Sequence, residues 1–311
     1  MRIPRVDKRI IFSVGRALTK ASLYLPAGRF GDRLYAFFMF MERHGRFPDP
    51  RRKSFLDMLY SLKSTGELSS FLRQMTSDKE YAKLFINSVL GADYAVPTHS
   101  VLRSPEEVRE EAFPANCAIK PTHASGKFFI RKDGAELDLG ELRSYFAVDL
   151  YLTGREQNYR FLEHKIIVEP IVFGGEFIEI NFQCLGGKVK ICMVKCENGK
   201  SRVRRDREWR PVDISQGRPR PAEPMEKPAV YDELIWAVEK LASNFNYVRV
   251  DIYTDGKEFL IGEITNCHTN AAAKFKRKGD TERFDRYLFA EPNADDLKAS
   301  ALLASQTPTM N

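Results

Sequence analysis

The chain has 311 residues, of which 43% are hydrophobic, 29% charged and 12% aromatic. That is enough apolar material to build about two domains, and it excludes a disordered, collagen-like or coiled-coil chain. A formal net charge of +7, from 49 Lys and Arg against 42 Asp and Glu, favours acidic partners: a nucleotide, a phosphate, a uronate sugar, nucleic acid or anionic lipid. The densest apolar run, Ala36 to Met41, is far too short for a membrane-spanning helix. Arg2, Arg5, Lys8 and Arg9 precede Ile10-Ile11-Phe12, but Gly15 and Arg16 interrupt the run. This is a poor signal peptide, and the expected location is cytoplasmic. Five cysteines without a C-x-x-C pair read as reduced core residues, and the five histidines show no zinc spacing.

Residues 1–50 read as helical and irregular, rich in aromatic and basic residues. A helical pattern follows from Ser54 to Met75, broken by Gly66. Ser77-Asp78-Lys79-Glu80 forms a capping box opening a helix that ends at Gly91. A short strand is expected from Ala95 to Val101, then a helix started by Ser104-Pro105. From Cys117 the pattern changes to short apolar strands, Cys117 to Pro121 and Phe128 to Arg131, with a helix between Asp138 and Leu152. Ile166 to Val172, Phe177 to Cys184 and Lys188 to Cys196 read as successive strands joined by Gly-Gly turns. Residues 198–228, proline-rich and basic, are expected to form a long loop. A helix from Tyr231 to Asn244 leads into a hairpin, Tyr247 to Tyr253 and Glu258 to Ile264, turning at Asp255-Gly256. The fold class is α+β.

Three constellations carry chemistry. In Ile119-Lys120-Pro121-Thr122-His123-Ala124-Ser125-Gly126 a lysine ends a strand and small residues follow. Such a loop lets backbone N–H groups converge on phosphate oxygens, with Lys120 as the point charge. A surface hairpin carrying a lysine fits the same residues. In the second, Glu169 and Glu176 flank main-chain groups around Ile171. Adenine is readable by the backbone there, and ribose by a carboxylate; two solvated carboxylates are the alternative. In the third, alternation places Arg249, Asp251 and Tyr253 on one face of a strand, and the facing strand carries Glu263 within an apolar run. Two carboxylates and an arginine on adjacent strands suit magnesium and a phosphate or oxyanion, as well as a structural ion pair.

Taken in order, these sites resemble an ATP-grasp enzyme from about residue 45 onward. Asp78-Lys79 with Lys83 looks like the D-K-x-x-x-K helix start that precedes the core. Glu169 and Glu176 keep the seven-residue spacing of the adenine and ribose contacts. Arg249-Val250-Asp251 and Gly262-Glu263 look like the paired-strand magnesium site. The run Ser77 to Pro97, together with Val248 to Tyr253 and Gly262-Glu263-Ile264-Thr265, is similar to the TupA-like (teichuronopeptide-biosynthesis) branch. Many ATP-grasp ligases carry Glu-x-Asn on the second metal strand; here Thr265 takes the Asn position, with Asn266 one place late.

The resemblance implies two α+β subdomains sandwiching ATP, within 96–168 and 169–311, after a helical region 1–95. It implies a carboxylate–amine ligase that uses ATP and Mg2+. ATP would be held by Lys79, Lys120, His123, Ser125, Gly126, Glu169, Ile171, Glu176 and one lysine among Lys188, Lys190 and Lys195, with Lys190 preferred. Asp251, Glu263 and Thr265 would hold the metal, and Arg249 and Lys120 would act in catalysis. The substrates would be an amine or amino acid and an acidic small molecule or uronate-type cell-surface glycan. Lys274, Lys276, Arg277 and Lys278, four cations in a five-residue stretch, would meet that acidic acceptor. Two other readings remain at this point. One is a kinase with a similar site. The other is a non-catalytic polyanion binder using the eight basic residues between Lys200 and Arg220, although interspersed acids and the lack of a recognition motif make nucleic acid a poor partner.

Overall fold

The computed structural model describes residues 7–91, 93–196, 199–215, 225–290 and 292–305. In chain order the helices are α1 (Lys8–Ser22), α2 (Arg29–His44), α3 (Phe55–Thr65), α4 (Phe71–Met75), α5 (Lys79–Leu90), α6 (Leu139–Ser144), α7 (Leu150–Gly154), α8 (Tyr231–Ala242), α9 (Asp280–Phe289) and α10 (Ala294–Ser305). The strands are β1 (Ser100–Leu102), β2 (Cys117–Pro121), β3 (Phe129–Arg131), β4 (Ile166–Glu169), β5 (Ile178–Leu185), β6 (Lys188–Cys196), β7 (Ser201–Asp206), β8 (Pro211–Val212), β9 (Tyr247–Thr254) and β10 (Phe259–Thr265). Among the described residues no helix is long and apolar enough to cross a membrane.

The chain divides into two compact units. The first comprises Met1–Gln74, Asp149–Phe161 and Cys267–Lys274. It is held by a buried cation: Lys63, fully enclosed, donates from Nζ to the carbonyls of Gly154 (2.9 Å) and Arg155 (2.7 Å) and to Asn270 Oδ1. An ammonium out of water needs such acceptors, and here three satisfy it. They draw together segments more than ninety residues apart in the chain.

The second unit comprises Met75–Val148, Leu162–Asn266 and Phe275–Asn311 and contains both sheets. A four-stranded antiparallel sheet runs β1-β4-β2-β3, and a six-stranded antiparallel sheet runs β10-β9-β5-β6-β7-β8. The smaller sheet turns Cys117, Ile119, Ile166 and Val168 into a core with Phe113, Leu142 and Tyr145. The larger sheet has an apolar face, including Ile180, Phe182, Val248, Val250 and Ile252, all fully buried. Helix α8 packs on β5, β6 and β9, its Tyr231 ring against Phe182. The other face of that sheet is polar.

Several boundaries differ from the sequence expectation. Asp78, not Ser77, caps α5, accepting from the N–H groups of Glu80 and Tyr81. The helix expected after Ser104 is only two short 3-10 turns, and the one expected from Asp138 to Leu152 breaks into α6, a 3-10 turn and α7. The strand expected from Ile166 to Val172 ends at Glu169, because Pro170 cannot donate to the ladder. Residues 198–228 were expected to be a loop, yet they contain β7 and β8; of this stretch, 198 and 216–224 lie outside the described residues. β7 pairs with β6 along its whole length, and that pairing supplies what its charged sequence lacks.

Candidate active site

A cavity of about 460 Å3 opens in the second unit, with one wall from each sheet. The smaller sheet contributes Ala118, Lys120 and Ile130, and the larger sheet Glu179, Lys195, Tyr253, Gly262 and Glu263. The loop Ser125 to Phe128 and the segment Glu169 to Val172 close its sides, and Lys79 enters from the start of α5.

Register explains how the polar face is built. In an antiparallel pair, residues directly opposite project to the same side. Asn181 lies opposite Asp251, and Asp251 opposite Glu263, so three oxygen-bearing side chains form one row across β5, β9 and β10. The next row is Gln183, Arg249 and Thr265. Glu263 reaches this face only through a β-bulge: Ile261 opposes Ile252 and Glu263 opposes Asp251, leaving Gly262 as the extra residue. The bulge is pinned on its outer side, where Ile261 donates to the Tyr94 carbonyl (2.7 Å) and accepts from the Val96 N–H (3.3 Å).

The charges divide into a cationic and an anionic half. Lys120 Nζ contacts Glu169 Oε2 at 2.7 Å, Lys83 Nζ contacts Glu169 Oε1 at 2.6 Å, and Lys120 also lies 5.9 Å from the Tyr253 ring centroid. Burial alone would pull the Lys120 ammonium down, but Glu169 holds it above the ordinary lysine value. Glu169 is held low, the two lysines outweighing its own desolvation. Burial lowers Lys79, with Glu263 opposing, and its Nζ donates to the Ala124 carbonyl. Glu263 is desolvated yet held below the usual carboxylate range by Lys79, Arg249 and Lys120. Asp251 is pushed up by burial even though Arg249 grips both its oxygens.

Asn181 decides whether this row fits a metal ion. Its side chain is fully buried, and its Nδ2 donates to Glu179 Oε1 at 2.8 Å, a carboxylate that also accepts from Lys195 Nζ. Because a carboxylate only accepts, the amide is oriented with Oδ1 turned away from Glu179, and Oδ1 has no hydrogen-bond partner. Two carboxylates and an unsatisfied carbonyl oxygen on one row are the hard oxygen donors that Mg2+ takes. Among the described residues there is no cluster of three or more His, Cys, Asp or Glu suited to a metal; the third donor offered here is an amide.

The other expected site residues fall as follows. Ser125, Gly126 and Ile171 line the cavity. Gly126 sits at φ +77°, a conformation that glycine adopts freely. His123 does not line it: the ring is buried, stacks on His164 at 4.0 Å, and burial depresses it to about 4. Glu176 is exposed outside the cavity lining. Lys190 is also outside, at a bulge between β5 and β6, and Lys188 pairs with Glu239 on α8, so Lys195 is the lysine of β6 that faces the cavity. Thr265 donates to Glu263 Oε1 at 3.3 Å. Asn266 is committed elsewhere, its Nδ2 donating to Thr76 and Ser77 just before α5.

The basic segments are less free than their composition suggests. Arg277 is engaged by Asp213 and Asp280, while Lys274, Lys276 and Lys278 are exposed and outside the cavity lining. In the stretch from Lys200, Arg204 is buried, Arg207 pairs with Glu239, and Arg210 pairs with Asp206 and Glu208. Sequence reasoning passed over Asn181 and Glu179. Their signal is the alternation Glu179-Ile180-Asn181-Phe182-Gln183, polar at every second position.

The family model described as TupA-like ATPgrasp matches residues 61–288, well over half of the chain. Among solved structures, D-alanine–D-alanine ligase from Helicobacter pylori is similar at 14% identity and a TM-score of 0.38, over 76% of this chain and 60% of that one. The chain thus spans about 60% of that ligase's length. ATP-grasp ligase PsnB, in a complex with its precursor peptide and AMPPNP, is similar at 13% identity and a TM-score of 0.36, over 79% and 65% of the two chains. D-cycloserine synthetase DcsG is similar at 16% identity and a TM-score of 0.35, over 70% of each. No curated protein matches the sequence.

Proposed function

The chain belongs to the TupA-like ATP-grasp family, and from that premise we propose that it is an ATP- and magnesium-dependent ligase joining a carboxylate to an amine. The observation that carries the reading is the cavity itself, lined by Lys79, Lys120, the Ser125–Gly126 loop and Glu263, with Asp251 and Asn181 continuing the row of Glu263 across β9 and β5 behind the lining. The apolar walls, Ala118, Phe128, Ile130, Ile171 and Phe177, suit a flat base. Lys79, Lys120 and Lys195 suit the phosphates.

In the proposed reaction the substrate carboxylate attacks the γ-phosphate of ATP, giving an acyl phosphate and ADP. The amine then attacks the acyl carbon and displaces phosphate. Asp251, Glu263 and Asn181 Oδ1 would hold Mg2+, which supplies charge neutralisation for the phosphates. Lys120 would exchange its partner Glu169 for a phosphate oxygen, a small loss because Lys83 still neutralises that carboxylate. Arg249, fixed by its two bonds to Asp251, would face the oxyanion of the second step. The net charge of +7 and the family's link to teichuronopeptide biosynthesis favour an uronate-type glycan or its precursor as the acid and an amino acid as the amine; the exposed Lys274, Lys276 and Lys278 are the candidate contacts to it.

An ADP-release screen of uronic acids crossed against amino acids, with product analysis, tests this. Amide plus free phosphate is the expected outcome. A phosphorylated acceptor would make the enzyme a kinase, and no ATP binding with magnesium present would remove the reading altogether.

A further inference from the structure

Helix α1 uses its weaker face to hold the fold. It packs on α2 through Ile11, Gly15, Thr19 and Ser22, mostly small or polar residues. Gly15 permits backbone contact: a Cβ there would lie 2.5 Å from the backbone nitrogen of Glu42. Thr19 and Ser22 satisfy their hydroxyls on the carbonyls of Gly15 and Thr19.

The apolar residues project elsewhere. Ile10, Val14 and Leu18 recur every four positions, with Ala17 and Ala21 on the same stripe. The first three are 57%, 44% and 37% exposed. Arg9, Ser13, Arg16 and Lys20 form a parallel exposed stripe beside it, and no acidic residue lies within the helix. Past its C-terminal end, Tyr24 and Phe30 are exposed at 91% and 72%.

A second copy of the same face would bring cations against cations. A neutral protein groove would leave the cationic stripe unpaired. An anionic bilayer meets both stripes at once, taking the apolar one at the acyl boundary and the cations at the headgroups. At 15 residues the helix is too short to span the hydrocarbon core but suits the plane of the interface. We propose that α1 docks this protein onto an anionic membrane surface. Such docking would bring the chain to lipid-borne substrates, independently of what its cavity catalyses.

The test is sedimentation of the full-length chain with vesicles of phosphatidylcholine alone or mixed with phosphatidylglycerol, at low and high salt. Binding to the mixed vesicles is expected to be at least tenfold tighter than to neutral ones and to weaken with salt. The variant Arg9→Glu/Arg16→Glu/Lys20→Glu should bind on the order of a hundredfold more weakly. The variant Ile10→Ser/Val14→Ser/Leu18→Ser should lose vesicle binding even at low salt. All six positions are exposed, so melting temperature and ATP binding should hold in both; should either triple variant fail to fold, Leu18→Glu alone gives the same readout. Equal binding to neutral and anionic vesicles, no binding to either, or binding retained in the serine variant would overturn the proposal. So would a wild-type dimer that the serine variant converts to monomer, since a second copy would then cover the stripe.

Discussion

Gly262 is the hinge of the proposed metal site, and Gly262→Ala is the most direct test of its construction. A Cβ at this position would lie 2.5 Å from Cε2 of Tyr253, a distance that real side chains do not sustain, and 3.0 Å from its Cζ, a tight contact. The backbone conformation at Gly262 accepts alanine, so the cost is steric, and the ring must move. Tyr253 lies in the cavity wall, edge-on to Phe177 and below Lys120. Overpacking of this kind costs about 1–3 kcal/mol. If the ring swings into the cavity, that energy appears as lost nucleotide affinity, roughly 5- to 150-fold, with little change in melting temperature. Titration calorimetry with an ATP analogue and magnesium measures the first, and thermal denaturation the second. The double variant Gly262→Ala/Tyr253→Val removes the clashing ring and should bind nucleotide like Tyr253→Val alone. Unchanged affinity in Gly262→Ala, or two losses that simply add in the double variant, would refute the reasoning.

Three further outcomes follow from the same geometry. Asp251→Asn and Glu263→Gln should each lower turnover by on the order of a hundredfold or more, since each keeps the shape and removes the charge the metal needs. Each also takes a counter-charge from buried cations and should lower the melting temperature, so turnover is compared below that transition, and normal turnover in Glu263→Gln would dismiss the metal assignment. Asn181→Leu, which removes the unpartnered oxygen and fills similar volume, should weaken Mn2+ binding measured by electron paramagnetic resonance on the order of tenfold, whereas unaltered Mn2+ affinity would leave Asn181 a purely structural residue. His123, depressed to about 4 by burial against an ordinary value of 6.5, binds its proton more readily in the unfolded chain. Its contribution to stability is therefore complete above pH 6.5 and lost as pH falls towards 4, up to roughly 3 kcal/mol. Denaturant titrations of wild type and His123→Asn across that window should show a shallower decline in the variant, and parallel curves would contradict the assignment.

What the sequence determined by itself is local. Alternation in Val248 to Tyr253 is enough to put Arg249, Asp251 and Tyr253 on one face, the Asp255-Gly256 turn sets the hairpin, and the small residues after Lys120 mark a loop beside a lysine. The family resemblance rests on such runs, and the family match bears it out. Tertiary structure decided whatever depends on a partner strand. Simple alternation along β10 would put Glu263 on the side of Ile261, in the apolar core; the bulge at Gly262, pinned by Tyr94 and Val96 from elsewhere in the chain, turns it to face Asp251. Likewise, the three lysines of β6 look alike in sequence, and only pairing with β5 places Lys195 towards Glu179 and leaves Lys190 at a bulge. Residues 201–212 carry charges and turn residues that spell a loop, but the exposed ladder of β6 recruits them as strands. His123, adjacent to the Ser125–Gly126 loop in sequence, is buried and stacks on His164. A residue's own neighbours set its propensity, whereas the sheet's hydrogen-bond register, built from segments far apart in the chain, decides which side of the sheet its side chain occupies.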